Sequence, residues 1–107
     1  MIKVKLGPGY EQVYRDLVQD DQEFRDYVTE LVELFRKNPQ DTRLDNHVLT
    51  KKMEGKCSFS ITEDIRIIYE WVGLSTVRFL DIGPHAKVYR KIRIKKTISK
   101  EVNLYHS

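Results

Sequence analysis

The sequence has little of what would mark a disulfide-rich, membrane-spanning or multidomain protein. Its 107 residues include one cysteine, three prolines and five glycines. The single cysteine, Cys57, excludes a framework of internal disulfides and a zinc site built from several cysteines. No apolar run approaches the roughly 20 residues that a membrane-spanning helix needs, and the N-terminus lacks the apolar block of a signal peptide. The sequence therefore predicts one small cytoplasmic domain.

Charge is distributed unevenly along the chain. The formal net charge is +3, but residues 1–50 carry 7 basic against 10 acidic side chains. Residues 51–107 carry 12 basic against 6 acidic side chains. A basic half suits a polyanionic partner, because the neutralisation of phosphates drives such binding. The alternative interpretation is a solvated basic tail, and charge alone does not decide between the two.

The first third of the chain predicts one strand and two helices. Residues 2–6 alternate between apolar and charged side chains, which is typical of a strand, and the turn 7–9 follows. Apolar residues then recur at helical spacing over residues 10–18 and 24–35. Asp20 is the predicted N-cap of the second helix. Because few residues separate the two helices, we expect them to form an antiparallel hairpin.

The middle of the chain predicts a three-stranded antiparallel meander. Residues 57–62, 65–72 and 76–82 have strand patterns, and the turns between them are short enough for hairpins. The second of these strands is almost continuously apolar, as a central strand should be, and Gly83-Pro84 is the predicted end of the third. The whole order predicts an α+β fold with the helices packed on one sheet face. The opposite face is then partly open to a ligand.

Three side chains of the meander are interpreted as core residues. Cys57 falls on the apolar side of its strand, so a buried structural thiol is the favoured interpretation. Tyr69 and Trp71 lie in the apolar central strand and are predicted to pack in the core.

Five polar residues lie near the predicted strand ends. They are His47, Asp64, Arg66, His85 and Tyr89. If they converge, they suit metal-independent cleavage of a phosphodiester, in which a base takes the ribose 2′-hydroxyl proton, a cation stabilises the phosphorane and an acid protonates the 5′-oxygen. The alternative interpretation is that these residues have no catalytic role: the histidines lie on the surface, Asp64 and Arg66 form a surface ion pair, and the tyrosine packs at the sheet edge.

Four segments resemble the RelE/ParE superfamily of bacterial toxins, and most closely its RelE branch with the YafQ-like mRNA endonucleases. The segments are residues 46–49, 54–61, 64–69 and 83–89. The resemblance covers residues 1–90, which we interpret as a RelE-like toxin domain. Residues 91–107 are interpreted as a basic C-terminal extension, either an edge strand or a mobile tail.

The resemblance implies specific roles. His85 matches the family's general acid, Arg66 matches an arginine that contacts the scissile phosphate, and Tyr89 matches an aromatic residue that stacks on a displaced base. Basic side chains around this set are expected to contact RNA. They are Lys51, Lys52, Lys56, Lys87, Arg90 and Lys91.

The general base is less directly implied. YafQ-like toxins carry an aspartate and a histidine where this chain has Ser58 and Ser60, and serine does not transfer protons in the same way at neutral pH. His47 and Asp64 match a histidine and an aspartate of the YafQ-like pocket. Both are therefore left as candidates for the base.

The resemblance implies the toxin of a type II toxin–antitoxin pair, which enters the ribosomal A site and cuts mRNA by attack of the 2′-hydroxyl. It implies no metal or organic cofactor and no membrane partner. It also implies a cognate antitoxin that blocks the site, with DNA contacted only through that antitoxin. Two alternatives are a ParE-like inhibitor of DNA gyrase and an RNA-binding remnant that has lost its activity.

Overall fold

The computed structural model describes residues 1–50 and 53–84, which form a five-stranded sheet with two helices. The elements are β1 (Lys3–Leu6), α1 (Pro8–Val18), α2 (Gln22–Lys37), a 3-10 helix (Thr42–Leu44), β2 (His47–Val48), β3 (Cys57–Ser60), β4 (Ile65–Trp71) and β5 (Thr76–Pro84). The strand order is β1-β5-β4-β3-β2, with β1 parallel to β5 and the other neighbours antiparallel. The predicted α+β fold is confirmed, and β4 is the central strand.

The junction between β1 and α1 depends on a close approach to β5. The N–H of Gly7 donates to the carbonyl oxygen of Phe79 at 2.9 Å. A Cβ atom at Gly7 would lie 2.9 Å from that same oxygen, so any side chain here would push the two backbones apart. Pro8 follows as the first helical residue, where its missing N–H is not needed. The helix therefore begins at Pro8, two residues earlier than Tyr10, the residue at which the sequence pattern predicts its start.

The N-cap of α2 is Asp21, so the prediction of Asp20 is wrong by one residue. The Asp21 carboxylate accepts a hydrogen bond from the Phe24 N–H at 3.0 Å. Asp20 has a φ of 60° and lies in the turn that joins the two helices. A cap residue needs a non-helical backbone that leads directly into the first helical turn, and Asp21 is the residue in that place.

Aromatic rings pack the two helices against one face of the sheet. Phe35 of α2 is fully buried, and its ring stacks on Phe59 of β3 with 4.3 Å between the ring centroids. Phe35 also meets Tyr69 and Phe79 edge to face, and Tyr10 of α1 meets Phe79 in the same way. Large rings in these arrangements contribute both buried area and specific geometry. This cluster accounts for the placement of the helix pair.

The core predictions for the meander have different outcomes. Cys57 is buried, which confirms the prediction of a buried thiol, and this burial raises the pKa of the thiol. Tyr69 is buried as predicted. Trp71 is 45% exposed, so its assignment to the core is wrong. It lies at the end of β4 beside the exposed turn 72–75.

β5 does not stop before Gly83-Pro84. Gly83 pairs with Arg66, and Pro84 pairs with Ile65 as the last pair of the strand. Proline is tolerated at a strand end, where its missing N–H removes no ladder bond that the strand needs. The predicted stop is therefore wrong by two residues.

Candidate functional site on the open sheet face

The candidate site lies on the sheet face opposite the helices. Alternation along β3 turns Phe59 toward the helices, so Ser58 and Ser60 point to the other face. Ser60 pairs with Arg66 of β4, and Ser58 pairs with His47 of β2. Directly opposed residues share a face. We call His47, Ser58, Ser60 and Arg66 the open-face cluster, after the sheet face opposite the two helices. Part of this face is buried, because Met53 packs with Ile68, the β4 partner of Ser58.

Arg66 is the buried cation of the open-face cluster, with only 6% of the residue exposed. Its Nε donates to Ser58 Oγ at 2.5 Å, and its Nη1 donates to Ser60 Oγ at 3.1 Å. Nη1 also donates to Asp45 Oδ2 at 3.3 Å, and Nη2 donates to the main-chain oxygen of Asp45 at 2.9 Å. A buried charge needs partners that replace its hydration, and these four acceptors do so.

The ion pair of Arg66 is not the one that the sequence suggests. Within residues 1–50 and 53–84, the salt bridge of Arg66 is with Asp45, whose side chain is 73% exposed. Asp64 is exposed in the turn between β3 and β4, where its N–H donates to Thr62 Oγ1 at 3.2 Å. The interpretation of Asp64 and Arg66 as a surface ion pair is therefore wrong. The Arg66 side chain extends across β3 toward β2 instead.

His47 lies in β2, a two-residue strand that has no detectable sequence pattern. The strand exists because of its partner: Val48 pairs with Cys57 of β3. The ladder is extended by the Leu49 N–H, which donates to the carbonyl oxygen of Lys56 at 2.8 Å. Lys56, which the resemblance assigns to RNA contact, is half-buried at this edge of the sheet. β2 therefore fixes His47 beside the buried arginine.

The imidazole of His47 contacts Arg66 and also the main-chain oxygen of Asp45, to which Arg66 donates. Its Nδ1 lies 3.1 Å from the main-chain oxygen of Asp45 and 3.4 Å from Arg66 Nη2. The residue itself is exposed. The structure thus brings together a solvent-accessible imidazole and a fixed guanidinium, two of the residues that the sequence analysis selects.

Asn46 holds the segment before β2 in place, and sequence reasoning assigns it no role. Its Nδ2 donates to the carbonyl oxygen of Pro39 at 2.9 Å. Its Oδ1 accepts from the hydroxyl of Tyr69, which is only 2% exposed, at 2.8 Å. The amide therefore ties the loop after α2 to the central strand. Its place directly before His47 in the chain is the one signal that could have selected it.

Buried tyrosines predict a loss of stability at alkaline pH. Burial raises the pKa of Tyr69 and of Tyr10 above the ordinary value of 10.0. Each phenol stays neutral in the folded protein at pH values where the unfolded chain ionises, so its contribution is complete below pH 10 and is lost as the pH rises. We expect the free energy of unfolding to fall above pH 10, and to fall less steeply in Tyr69→Phe. Urea unfolding at a series of pH values tests this, and parallel curves for the two proteins contradict it.

The two candidates for the general base lie at different ends of β3. His47 pairs with Ser58. Asp64 lies opposite Thr62, because the N–H of the preceding residue, Ile61, donates to the carbonyl oxygen of Ile65. Four residues of strand correspond to about 13 Å. Of the two candidates, His47 is the one in contact with Arg66.

Several predicted site residues lie outside the described part of the chain. They are Lys51, Lys52, His85, Lys87, Tyr89, Arg90 and Lys91. The predicted domain boundary at residue 90 and the extension 91–107 lie outside it as well. Their roles remain predictions.

The described residues contain a guanidinium that suits an anion and an imidazole that suits proton transfer. Residues 1–50 and 53–84 contain no group of three or more histidine, cysteine or acidic side chains placed to hold a metal ion. Neither helix in those ranges has the length and apolar character to cross a membrane. The pairing of the Arg66 guanidinium with the His47 imidazole fits acid–base chemistry beside a bound anion.

The fold is shared with solved structures of bacterial toxins. A copper-bound mutant toxin from Helicobacter pylori is 21% identical, with a TM-score of 0.68, and the match covers 82% of this chain and 99% of that one. YafQ from E. coli strain BL21(DE3) is 18% identical, with a TM-score of 0.68 and coverage of 83% and 99%. A YoeB/ParE toxin from Agrobacterium tumefaciens is 18% identical, with a TM-score of 0.67 and coverage of 78% and 99%.

YafQ has the same fold in its crystallised complex with DinJ, at 18% identity and a TM-score of 0.66 over 83% of this chain and 99% of that one. No protein-family model and no curated protein matches the chain. The structural matches confirm the fold that the resemblance to RelE/ParE toxins predicts.

Proposed function

We propose that this protein is the toxin of a type II toxin–antitoxin pair and a metal-independent endoribonuclease that cuts mRNA in the ribosomal A site. The observation that carries the proposal is the contact between His47 Nδ1 and Arg66 Nη2, which lie 3.4 Å apart on the open sheet face. A proton-transfer group beside a fixed cation is what cleavage by a neighbouring 2′-hydroxyl requires. The fold shared with YafQ and with a YoeB/ParE toxin supports the same conclusion.

The proposed reaction needs two proton transfers and one stabilised charge. The 2′-oxygen attacks the adjacent phosphorus and the bond from phosphorus to the 5′-oxygen breaks, which yields a cyclic phosphate and a 5′-hydroxyl. His47 accepts the proton of the 2′-hydroxyl, and His85 donates a proton to the departing 5′-oxygen. Arg66 stabilises the charge on the phosphorane oxygens, and Tyr89 stacks on a displaced base. Asp64 is the alternative base.

Arg66 must exchange a partner to bind the phosphate, because protein acceptors already surround its guanidinium. Its longest hydrogen bond to an oxygen is the 3.3 Å contact from Nη1 to Asp45 Oδ2. The Asp45 side chain is 73% exposed, so its carboxylate can turn into solvent while Ser58 and Ser60 still hold the arginine. A phosphate oxygen then takes the place of the carboxylate oxygen, in the charge-assisted geometry that arginine favours.

We propose that RNA approaches the open sheet face, away from the acidic surface of the helices. Exposed acidic side chains lie on the two helices, on the opposite side of the sheet. They are Glu11, Asp16, Glu23, Asp26 and Glu30. Lys51, Lys52, Lys56, Lys87, Arg90 and Lys91 are the proposed contacts to the RNA backbone. Binding through such contacts weakens as salt rises, because counterion release drives it.

The proposed partner is a cognate antitoxin. YafQ is found in a complex with DinJ, and by analogy we propose an antitoxin that covers the open-face cluster of this chain. DNA is then contacted only through the antitoxin. Because the proposed substrate is mRNA on the ribosome, the proposed place of action is the cytoplasm.

Primer extension on mRNA in a reconstituted translation reaction tests the proposed function. We expect codon-phased cuts from the wild type, and no cuts on the same RNA without ribosomes. His47→Gln and His85→Ala should each lower cleavage by about 10²-fold or more, the usual contribution of a positioned acid or base. His106→Ala is the matched control, because His106 is the one histidine without an assigned role.

Primer extension, together with ribosome-binding and DNA supercoiling assays, separates the three functional hypotheses. Loss of cuts in both histidine variants, with cleavage kept in His106→Ala, supports the nuclease. An intact message with salt-dependent ribosome binding replaces the nuclease with an RNA-binding remnant. An intact message together with inhibition of DNA supercoiling by gyrase replaces it with a ParE-like inhibitor.

A further inference from the structure

Asp45 has an unusual backbone at the centre of the candidate site. It follows the 3-10 helix Thr42–Leu44 and adopts the left-handed conformation, with φ 45° and ψ 50°. Its N–H donates to the Thr42 carbonyl at 3.3 Å. Residues other than glycine are uncommon in this conformation, and aspartate and asparagine are the usual exceptions. The 3-10 helix and the residues that follow it therefore hold the Asp45 backbone in a conformation that few residue types adopt.

The carbonyl oxygen of Asp45 receives two donors from the open-face cluster. Arg66 Nη2 lies 2.9 Å from it, and His47 Nδ1 lies 3.1 Å from it. A carbonyl oxygen has two lone pairs and no hydrogen, so it only accepts. A ring nitrogen at hydrogen-bond distance from it must therefore carry the hydrogen.

The competing assignment makes Nδ1 an acceptor from Arg66 Nη2 at 3.4 Å. That contact is longer, and Nη2 already has a nearer acceptor at 2.9 Å. It would also set the lone pair of Nδ1 against the lone pairs of the Asp45 oxygen at 3.1 Å. The geometry therefore favours a hydrogen on Nδ1, because the bond made by one ring nitrogen decides the state of the other.

We propose that Asp45 is a positioning residue whose left-handed main-chain carbonyl holds neutral His47 in the form with hydrogen on Nδ1. The lone pair on Nε2 is then the group that accepts the substrate proton. The inference deepens the proposed function, in which His47 is the general base. It assigns the positioning role to the Asp45 main chain, while the exposed carboxylate has a separate contact with Arg66.

Long-range ¹H–¹⁵N correlation spectra of the free protein test this inference at a pH where the imidazole is neutral. A spectrum of His47→Gln identifies the signals of His47. In the wild type we expect Nδ1 to have the shift of a protonated nitrogen and Nε2 that of an unprotonated one. The opposite pattern, or an equal mixture of the two forms, overturns the proposal.

Two substitutions separate the main chain from the carboxylate. Asp45→Gly and Asp45→Val both remove the carboxylate, but glycine tolerates the left-handed backbone and a β-branched residue does not. We expect Asp45→Gly to keep the wild-type pattern and Asp45→Val to give a mixture of both forms. Equal loss of the wild-type pattern in both variants overturns the proposal, because the carboxylate is then responsible. Retention of that pattern in both variants overturns it as well, because the left-handed backbone is then not required.

The spectra need neither RNA nor ribosomes, so they test the inference apart from the proposed function. In the cleavage assay we expect Asp45→Val to be slower than Asp45→Gly by about tenfold, which corresponds to the cost of the left-handed backbone. If the wild type cuts no mRNA but shows the expected spectra, the positioning role stands and the proposed function fails.

Discussion

Arg66→Lys should lower the rate of ribosome-dependent mRNA cleavage by about 10²–10³-fold, which is the usual effect of losing one donor to a developing oxyanion. The planar Arg66 guanidinium donates to Ser58, Ser60 and Asp45. Lysine has three donors on a compact head group and lacks the planar fork that fits a phosphate. It cannot hold the serines and the phosphate together. Single-turnover cleavage at saturating ribosome concentration measures the effect.

Arg78→Lys is the matched control for this substitution. Arg78 lies on β5 and forms an ion pair with Glu70 at 3.1 Å, with its side chain 41% exposed. Exposed ion pairs contribute about 0–1 kcal/mol, so we expect wild-type cleavage from this variant. Equal rates for wild type and Arg66→Lys, with both proteins folded, would remove Arg66 from the proposed mechanism. Thermal unfolding of each variant establishes that condition.

Asn46→Ala should destabilise the fold by about 1–3 kcal/mol, because it leaves the buried Tyr69 hydroxyl without its acceptor. For a domain of this size each kcal/mol corresponds to about 4–8 °C in Tm. The substitution also frees the segment that carries His47, since the second bond of the amide goes to Pro39. We therefore expect reduced cleavage even at temperatures where the variant is folded.

A double-mutant cycle isolates this hydrogen bond. Tyr69→Phe removes the hydroxyl, so adding Asn46→Ala to it should cost less than Asn46→Ala costs alone. The matched control is Gln12→Ala, which removes an exposed amide bonded to Asp16 on the same helix. Additive effects of the two core substitutions would show that the bond contributes nothing to stability.

The sequence predicts the elements whose signals are local. Periodic apolar residues identify both helices and the long strands of the meander, because each pattern is complete within its own element. β2 has two residues and exists only through its pairing with Cys57 and Ser58, so no local pattern identifies it. The exposure of Trp71 depends on the tertiary packing around the end of β4, which no strand pattern encodes.

The candidate site is only partly predictable for the same reason. The sequence selects His47 and Arg66 as residue types suited to the chemistry, and the structure brings them into contact. The link between them is a main-chain carbonyl, which every residue has and which therefore gives no sequence signal. Ser58 and Ser60 are interpreted from sequence as lost acid–base groups. In the structure their hydroxyls accept hydrogen bonds from the buried arginine.

The parallel pairing of β1 with β5 has a consequence for synthesis of the protein. Lys3 pairs with Thr76, so within residues 1–50 and 53–84 the sheet neighbour of β1 is β5, the described strand furthest from it in the sequence. Contacts so distant in sequence form late, because closing a long loop is entropically costly. β5 also flanks β4, the strand that carries Arg66. The sheet on both sides of the Arg66 strand is therefore complete only after residues 76–84 have left the ribosome, so a protein proposed to attack translation gains its full sheet only once β5 has been made.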